Sequence, residues 1–297
     1  MNKRDLLTEL AARPLVCDGA MGTLLLAQGL KSGGCATLWN ADRPDAVRAV
    51  HEAYLAAGCD LLTTNTFGGS SIALERHGLA ARAAELNQAA AKIARAAAGD
   101  RAWVLGDVGP FGDFLEPFGD TTAEALRESF RIQIEGLIAG GADAVLVETM
   151  SDPAEAVVGV EAAKSIDENM PVLVTYAFQK AAPGMFNTMM GTSVEEAVRR
   201  AVSAGADIVG ANCGTSLDLD DYVELGKQLT AAAGSTPVVV QPNAGAPRMR
   251  GDKTVYDATP EQMAAAASEL RQAGVRIVGG CCGTTPEHLA AMAAVVR

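Results

Sequence analysis

The sequence predicts an α/β fold, a (β/α)8 TIM barrel that fills a single domain over residues 1–297. Three observations predict it. Eight short apolar runs recur along the chain, Ala-rich stretches of helical spacing lie between them, and a Gly returns at the junction before every second run. That period-two echo favours a closed barrel over an open doubly wound sheet, and no Pro- or Ser-rich linker divides the chain.

The runs fall at residues 14–18, 59–66, 103–108, 144–148, 172–178, 208–213, 238–241 and 275–278. Each is nearly continuous in apolar residues, as parallel strands buried on both faces are. Residues 45–57, 86–98, 122–138 and 194–204 have the apolar spacing of amphipathic helices. The junctions Ala57-Gly58-Cys59-Asp60, Gly140-Gly141-Ala142-Asp143, Ala204-Gly205-Ala206-Asp207 and Ala273-Gly274-Val275-Arg276 precede the second, fourth, sixth and eighth strands. A Gly there suits a left-handed helix cap. Seven residues past each Gly stand Asn65, Glu148, Asn212 and Cys281, and eight past it stand Thr66, Thr149, Cys213 and Cys282. These positions are the C-terminal strand ends, where barrel enzymes build their active sites.

Composition narrows the function classes. Lys plus Arg total 24 against 36 Asp plus Glu, a net charge of −12, which argues against nucleic acid or an anionic membrane as partner. With 49% hydrophobic and 20% charged residues the chain is not disordered. No apolar run reaches the roughly 18 residues of a membrane span. Lys3 and Arg4 are followed by Asp5 and Glu9, which does not read as a signal peptide. The expectation is a soluble, cytoplasmic protein whose six cysteines are free thiols or metal ligands.

Cys213 lies in Asn212-Cys213-Gly214, and two more cysteines lie in Gly279-Gly280-Cys281-Cys282-Gly283. Strands six and eight of a barrel have only the seventh between them. Three thiolates from their ends can share one Zn2+ at about 2.3 Å each and leave a fourth position open for a substrate thiol. Because successive strand residues face opposite ways, the chain must leave its pleat for Cys281 and Cys282 to converge, and the flanking glycines permit that. Cys17, Cys35 and Cys59 read instead as small buried hydrophobes.

With Asp18-Gly19-Ala20-Met21-Gly22-Thr23, Thr64-Asn65-Thr66-Phe67 and Val147-Glu148-Thr149, these segments resemble the zinc-dependent homocysteine S-methyltransferase family over essentially the whole chain. That family takes in the homocysteine-binding module of cobalamin-dependent methionine synthase and the betaine– and S-methylmethionine–homocysteine methyltransferases. The resemblance implies that Cys213, Cys281 and Cys282 ligate zinc and that the sulfur of L-homocysteine joins them. It also implies that Asp18 and Glu148 hold the substrate ammonium, a role two carboxylates in one mouth can fill by charge-assisted hydrogen bonds. The amides from Gly19 onward form a candidate nest for the substrate carboxylate, and Thr64 and Asn65 are candidate pocket residues. Asn243, in Pro242-Asn243-Ala244-Gly245, is either a turn residue or, by the resemblance, the resting fourth zinc ligand.

The expected reaction is methyl transfer to homocysteine thiolate, giving methionine. None of His51, His77 and His288 stands at a strand end, so a histidine base has no support. The chain holds no Asp-x-His-x-x-Gly segment of the kind that ligates cobalamin, so a methylcobalamin donor would come on a separate corrinoid protein. Gly109-Pro110-Phe111-Gly112 looks more like the S-methylmethionine branch. The Met-rich residues 179–191 read as a loop offering an adaptable surface to a donor or as packing on the rim, and Trp39 and Tyr176 are candidate wall residues. Alternatives are a betaine-like donor, a different thiol acceptor, a phosphate-binding barrel lyase or isomerase, or a non-catalytic zinc sensor.

Overall fold

Eight parallel strands make up the main sheet of the computed structural model, which describes residues 5–251 and 253–297. In chain order they are β1 (Leu15–Val16), β2 (Leu61–Thr63), β3 (Trp103–Val108), β4 (Ala144–Met150), β5 (Val172–Tyr176), β6 (Ile208–Asn212), β7 (Val238–Gln241) and β8 (Ile277–Val278). Each pairs with its sequence neighbour, and β8 pairs with β1. A parallel bridge from Cys17 to Leu61 closes the ring between β1 and β2. The barrel is the predicted one, although β1, β2 and β8 are shorter than their apolar runs. Met1 to Arg4, including the Lys3 and Arg4 of the leader reading, lie outside the described residues.

Strand alternation sorts the side chains into two cores. Leu15, Cys17, Leu61, Trp103, Leu105, Leu146, Leu173, Val239 and Ile277 fill the barrel, while Val16, Leu62, Val104, Val145, Val174, Val240 and Val278 pack outward on the helices. Helix Leu6–Ala12 adds Leu6 and Leu10 to the inner cluster and so plugs one end. The four junction glycines, Gly58, Gly141, Gly205 and Gly274, have φ of +97°, +99°, +107° and +96°. They sit in the region where a Cβ is costly, as a strand-entering turn after each helix demands.

Two small hairpins interrupt the alternation on the active-site face. Phe178–Ala182 pairs antiparallel with Met185–Thr188, so the segment expected as a loop at 179–191 is largely a hairpin, turned at Pro183-Gly184. Arg248–Arg250 pairs with Lys253–Val255 after β7. No helix among the described residues is long and apolar enough to cross a membrane.

Candidate active site

Beyond the apolar filling, the inward positions turn polar. Two residues past Leu105, Leu146 and Val239 come Asp107, Glu148 and Gln241, which floor a cavity of about 640 Å³ at the C-terminal end of the barrel. Cys213, Cys281 and Cys282 line the same cavity with Asp18.

The three thiols meet. Their sulfurs all lie within 4.8 Å of one another, and Cys213 Sγ is 3.5 Å from Cys282 Sγ. Cys213 reaches this position through a left-handed backbone, φ 48°, immediately after β6, a conformation rare for a side-chain-bearing residue and concentrated at functional sites. Beyond β8 the chain leaves the pleat at Gly279, as expected. The Cys281 amide donates to the Pro242 carbonyl at 2.8 Å, and the Ala244 amide donates to the Cys282 carbonyl at 2.9 Å. Gly283, at φ +80°, lies under the Tyr256 ring, where a Cβ would stand 2.4 Å from Tyr256 Cγ.

Side chains orient the sulfurs. Asn212 Nδ2 donates to Thr149 Oγ1 at 2.7 Å and to Cys281 Sγ at 3.7 Å. The Asn243 carbonyl oxygen accepts from the Cys282 amide at 3.1 Å, and its Nδ2 donates to the Gly214 carbonyl at 3.4 Å. Asn243 thus ties the two cysteine-bearing loops together. Hydrogen bonds from the Cys213 and Cys281 thiols push Cys282 down, while hydrogen bonds with Cys213 and Cys282 and then burial push Cys281 up, so negative charge in the cluster concentrates on Cys282. Three soft donors converging on one point of a cavity wall suit a metal ion and leave it open toward the cavity.

Carboxyl groups face the cluster across the cavity. Asp18, buried behind β1, accepts from the Thr63 amide and from the Thr63 hydroxyl, both at 2.8 Å. Burial pushes its carboxyl up to about 7. Glu148 is pushed up to about 8 by burial and then by the Asp18 charge. Asp107 was not singled out in the sequence, because it lies within a strand run and belongs to no motif. It is 2% exposed, and burial followed by the Glu148 charge holds its carboxyl well above the usual range.

The remaining sequence-predicted residues divide. Gly19 lines the cavity and touches the barrel wall so closely that a Cβ would lie 2.5 Å from Thr284 Oγ1. Thr64 lines it too, but its hydroxyl is 2.7 Å from Thr66 Oγ1 and accepts from the Asp107 amide at 3.0 Å. Asn65 sends Nδ2 to the Ala36 carbonyl at 2.8 Å and to Asn40 Oδ1 at 3.1 Å, bracing the wall. Tyr176 is fully buried with its hydroxyl on the Ala197 carbonyl, and Trp39 stacks with Arg43, so neither lines the cavity. Cys17 and Cys59 are buried as expected, whereas Cys35 is half-buried and lines the mouth. Arg76 and His77 stand there as well, unanticipated because they follow a short helix rather than a strand. The other two histidines keep to helices Pro44–Ala56 and Pro286–Val296.

A family model described as homocysteine S-methyltransferase matches residues 15–296. The methionine synthase of Mycobacterium leprae (strain TN) is 34% identical over 312 residues, covering 98% of this chain and 25% of that protein. The methionine synthase of Mycobacterium tuberculosis (strain ATCC 25618 / H37Rv) is 34% identical over 310 residues, with the same two coverages. The chain therefore spans about a quarter of the length of these relatives. Among solved structures, the metallated form of the homocysteine methyltransferase MmuM from Escherichia coli superposes with a TM-score of 0.78 at 25% identity, covering 98% of this chain and 99% of that one. The carboxyl transferase domain of Rhizobium etli pyruvate carboxylase matches at a TM-score of 0.53 and 14% identity, which is likeness of fold alone.

Proposed function

The chain belongs to the homocysteine S-methyltransferase family, and from that premise we propose that it transfers a methyl group to the thiolate of L-homocysteine, giving methionine, with zinc held by Cys213, Cys281 and Cys282. The observation that carries this reading is the meeting of three thiols on the wall of a cavity whose floor is acidic. Zinc bound there would supply the Lewis acidity that keeps a substrate thiol ionised near neutral pH.

The chain's own residues account for the rest. Asp18 and Glu148 take the substrate ammonium, which stabilises their ionised forms against burial. The substrate carboxylate meets the backbone amides around Gly19 to Thr23, which line the cavity. Methyl transfer forms the sulfur–carbon bond as the donor's bond to the methyl group breaks, and the donor keeps that electron pair. Positioning within the cavity then supplies much of the rate. The reaction needs no histidine base.

A methylated corrinoid protein is the proposed donor, supported by the identity to two methionine synthases of about four times this length. The rim offers a surface for such a partner, since Phe67, Phe114, Phe118, Met185 and Met189 are exposed on the segments that follow β2, β3 and β5. S-Methylmethionine is the second reading, favoured by Gly109-Pro110-Phe111-Gly112.

Zinc-loaded protein given L-homocysteine and free methylcobalamin should form methionine, and Cys282→Ala should not. Product from S-methylmethionine but not from methylcobalamin would move the donor to the second reading. No product with either donor, from folded zinc-loaded protein, would move the reading to a betaine-like donor or a different thiol acceptor.

A further inference from the structure

The acidic floor contains one carboxyl more than the proposed substrate contacts use. Asp107 projects inward from β3 beside β4, where it registers with Leu146, two residues before Glu148 on the same inner face. Its main chain is fully engaged. The amide donates to Thr64 Oγ1 at 3.0 Å, and the carbonyl accepts from Thr66 Oγ1 at 2.7 Å and from Gln133 Nε2 at 3.0 Å. Three buried polar side chains thus fix the backbone and leave the carboxyl facing Glu148 and the cavity.

That carboxyl lacks what a buried acid needs. Its Oδ1 is inaccessible and has no hydrogen-bond partner, and the charges that bear on it are those of Glu148 and Asp18. Among the described residues no Lys, Arg or His hydrogen-bonds to Asp18, Asp107 or Glu148. Three acids gathered in a desolvated floor repel one another, and only a shared proton or a cation relieves them. A purely structural Asp would have ended on a backbone amide or an Arg, as Glu155 does on the Phe111 amide at 2.7 Å.

We infer that Asp107 completes, with Asp18 and Glu148, a three-acid cage for the substrate ammonium, so that the site selects amino-acid thiols over their deaminated counterparts. The inference rests on the proposed amino-acid acceptor and deepens it.

The test compares the affinities of zinc-loaded protein for L-homocysteine and for 4-sulfanylbutanoate, the same thiol acid without the ammonium, by calorimetry. Wild-type protein should prefer homocysteine. Asp107→Asn preserves size but removes the charge, and should weaken homocysteine binding about 10-fold or more, since hydrogen bonds to charged groups carry energies of that order. Binding of 4-sulfanylbutanoate should stay within about 2-fold, a selectivity that general loosening of the barrel would not produce. Asp107→Ser serves as the second variant and should lose the same preference. An unchanged ratio between the two thiols in both folded variants would overturn the role of Asp107 while leaving the proposed function standing. A wild-type protein that binds neither thiol would overturn the proposed function, and this inference with it.

Discussion

Cys213 Sγ stands 3.5 Å from Cys282 Sγ, although 69 residues separate them in the chain. The contact exists because β6 and β8 flank β7 in a closed barrel and because the chain breaks from strand geometry at both ends. If the contact serves a metal, Cys213→Ala, Cys281→Ala and Cys282→Ala should each lower zinc affinity by more than about 100-fold, beyond the usual cost of losing a supporting residue. Cys17→Ala and Cys59→Ala should leave zinc content unchanged, since both thiols are buried away from the cluster. Metal analysis after dialysis against a chelator checks both.

Asn212 and Asn243 orient the cluster, Asn212 through Cys281 Sγ and Asn243 through the Cys282 amide. Asn243→Ala leaves that amide without its acceptor, and Asn212→Ala removes a donor to sulfur. Each should weaken zinc binding by about 10–100-fold with the fold intact, as outer-shell losses do. Competition with a chromophoric chelator gives the number.

Glu148→Ala removes an acceptor from the proposed ammonium site. The expected result is a rise in KM for L-homocysteine of about 10–100-fold, the size of a lost hydrogen bond to a charged group. An unchanged KM would favour a different thiol acceptor.

Gly283→Ala would place a methyl against the Tyr256 ring in a left-handed conformation. It should destabilise the protein by about 1–3 kcal/mol and loosen the adjoining Cys282. Thermal unfolding and zinc affinity should fall together.

Glu155 predicts a pH signature away from the site. Burial pushes its carboxyl from 4.5 up to about 7 in the folded chain. The folded state therefore binds the proton more tightly, and this contribution is complete below about pH 4.5 and lost as pH rises through 7. Glu155→Gln, which can still accept from the Phe111 amide, should flatten the stability profile across that interval. Denaturant melts at a series of pH values test this.

The barrel was legible because buried parallel strands and glycine-capped junctions leave periodic marks, and counting from those glycines reached Glu148, Asn212, Cys213, Cys281 and Cys282 directly. Asp107 and Thr63 left no such mark. Each lies in or at the end of a strand run, and only the inward phase of that strand, Leu105 then Asp107, reveals where it points. The Phe178–Thr188 region was hidden for a different reason. Its methionines suggested an irregular surface, while the Pro183-Gly184 turn between short alternating segments was the better guide to a hairpin.

X-ray absorption at the zinc edge, recorded with and without L-homocysteine, tests the central claim most directly. The account predicts three sulfur neighbours at about 2.3 Å in the free protein and a fourth when homocysteine binds. A sulfur count that stays the same on adding homocysteine, or a free site with fewer than three sulfurs, would contradict it.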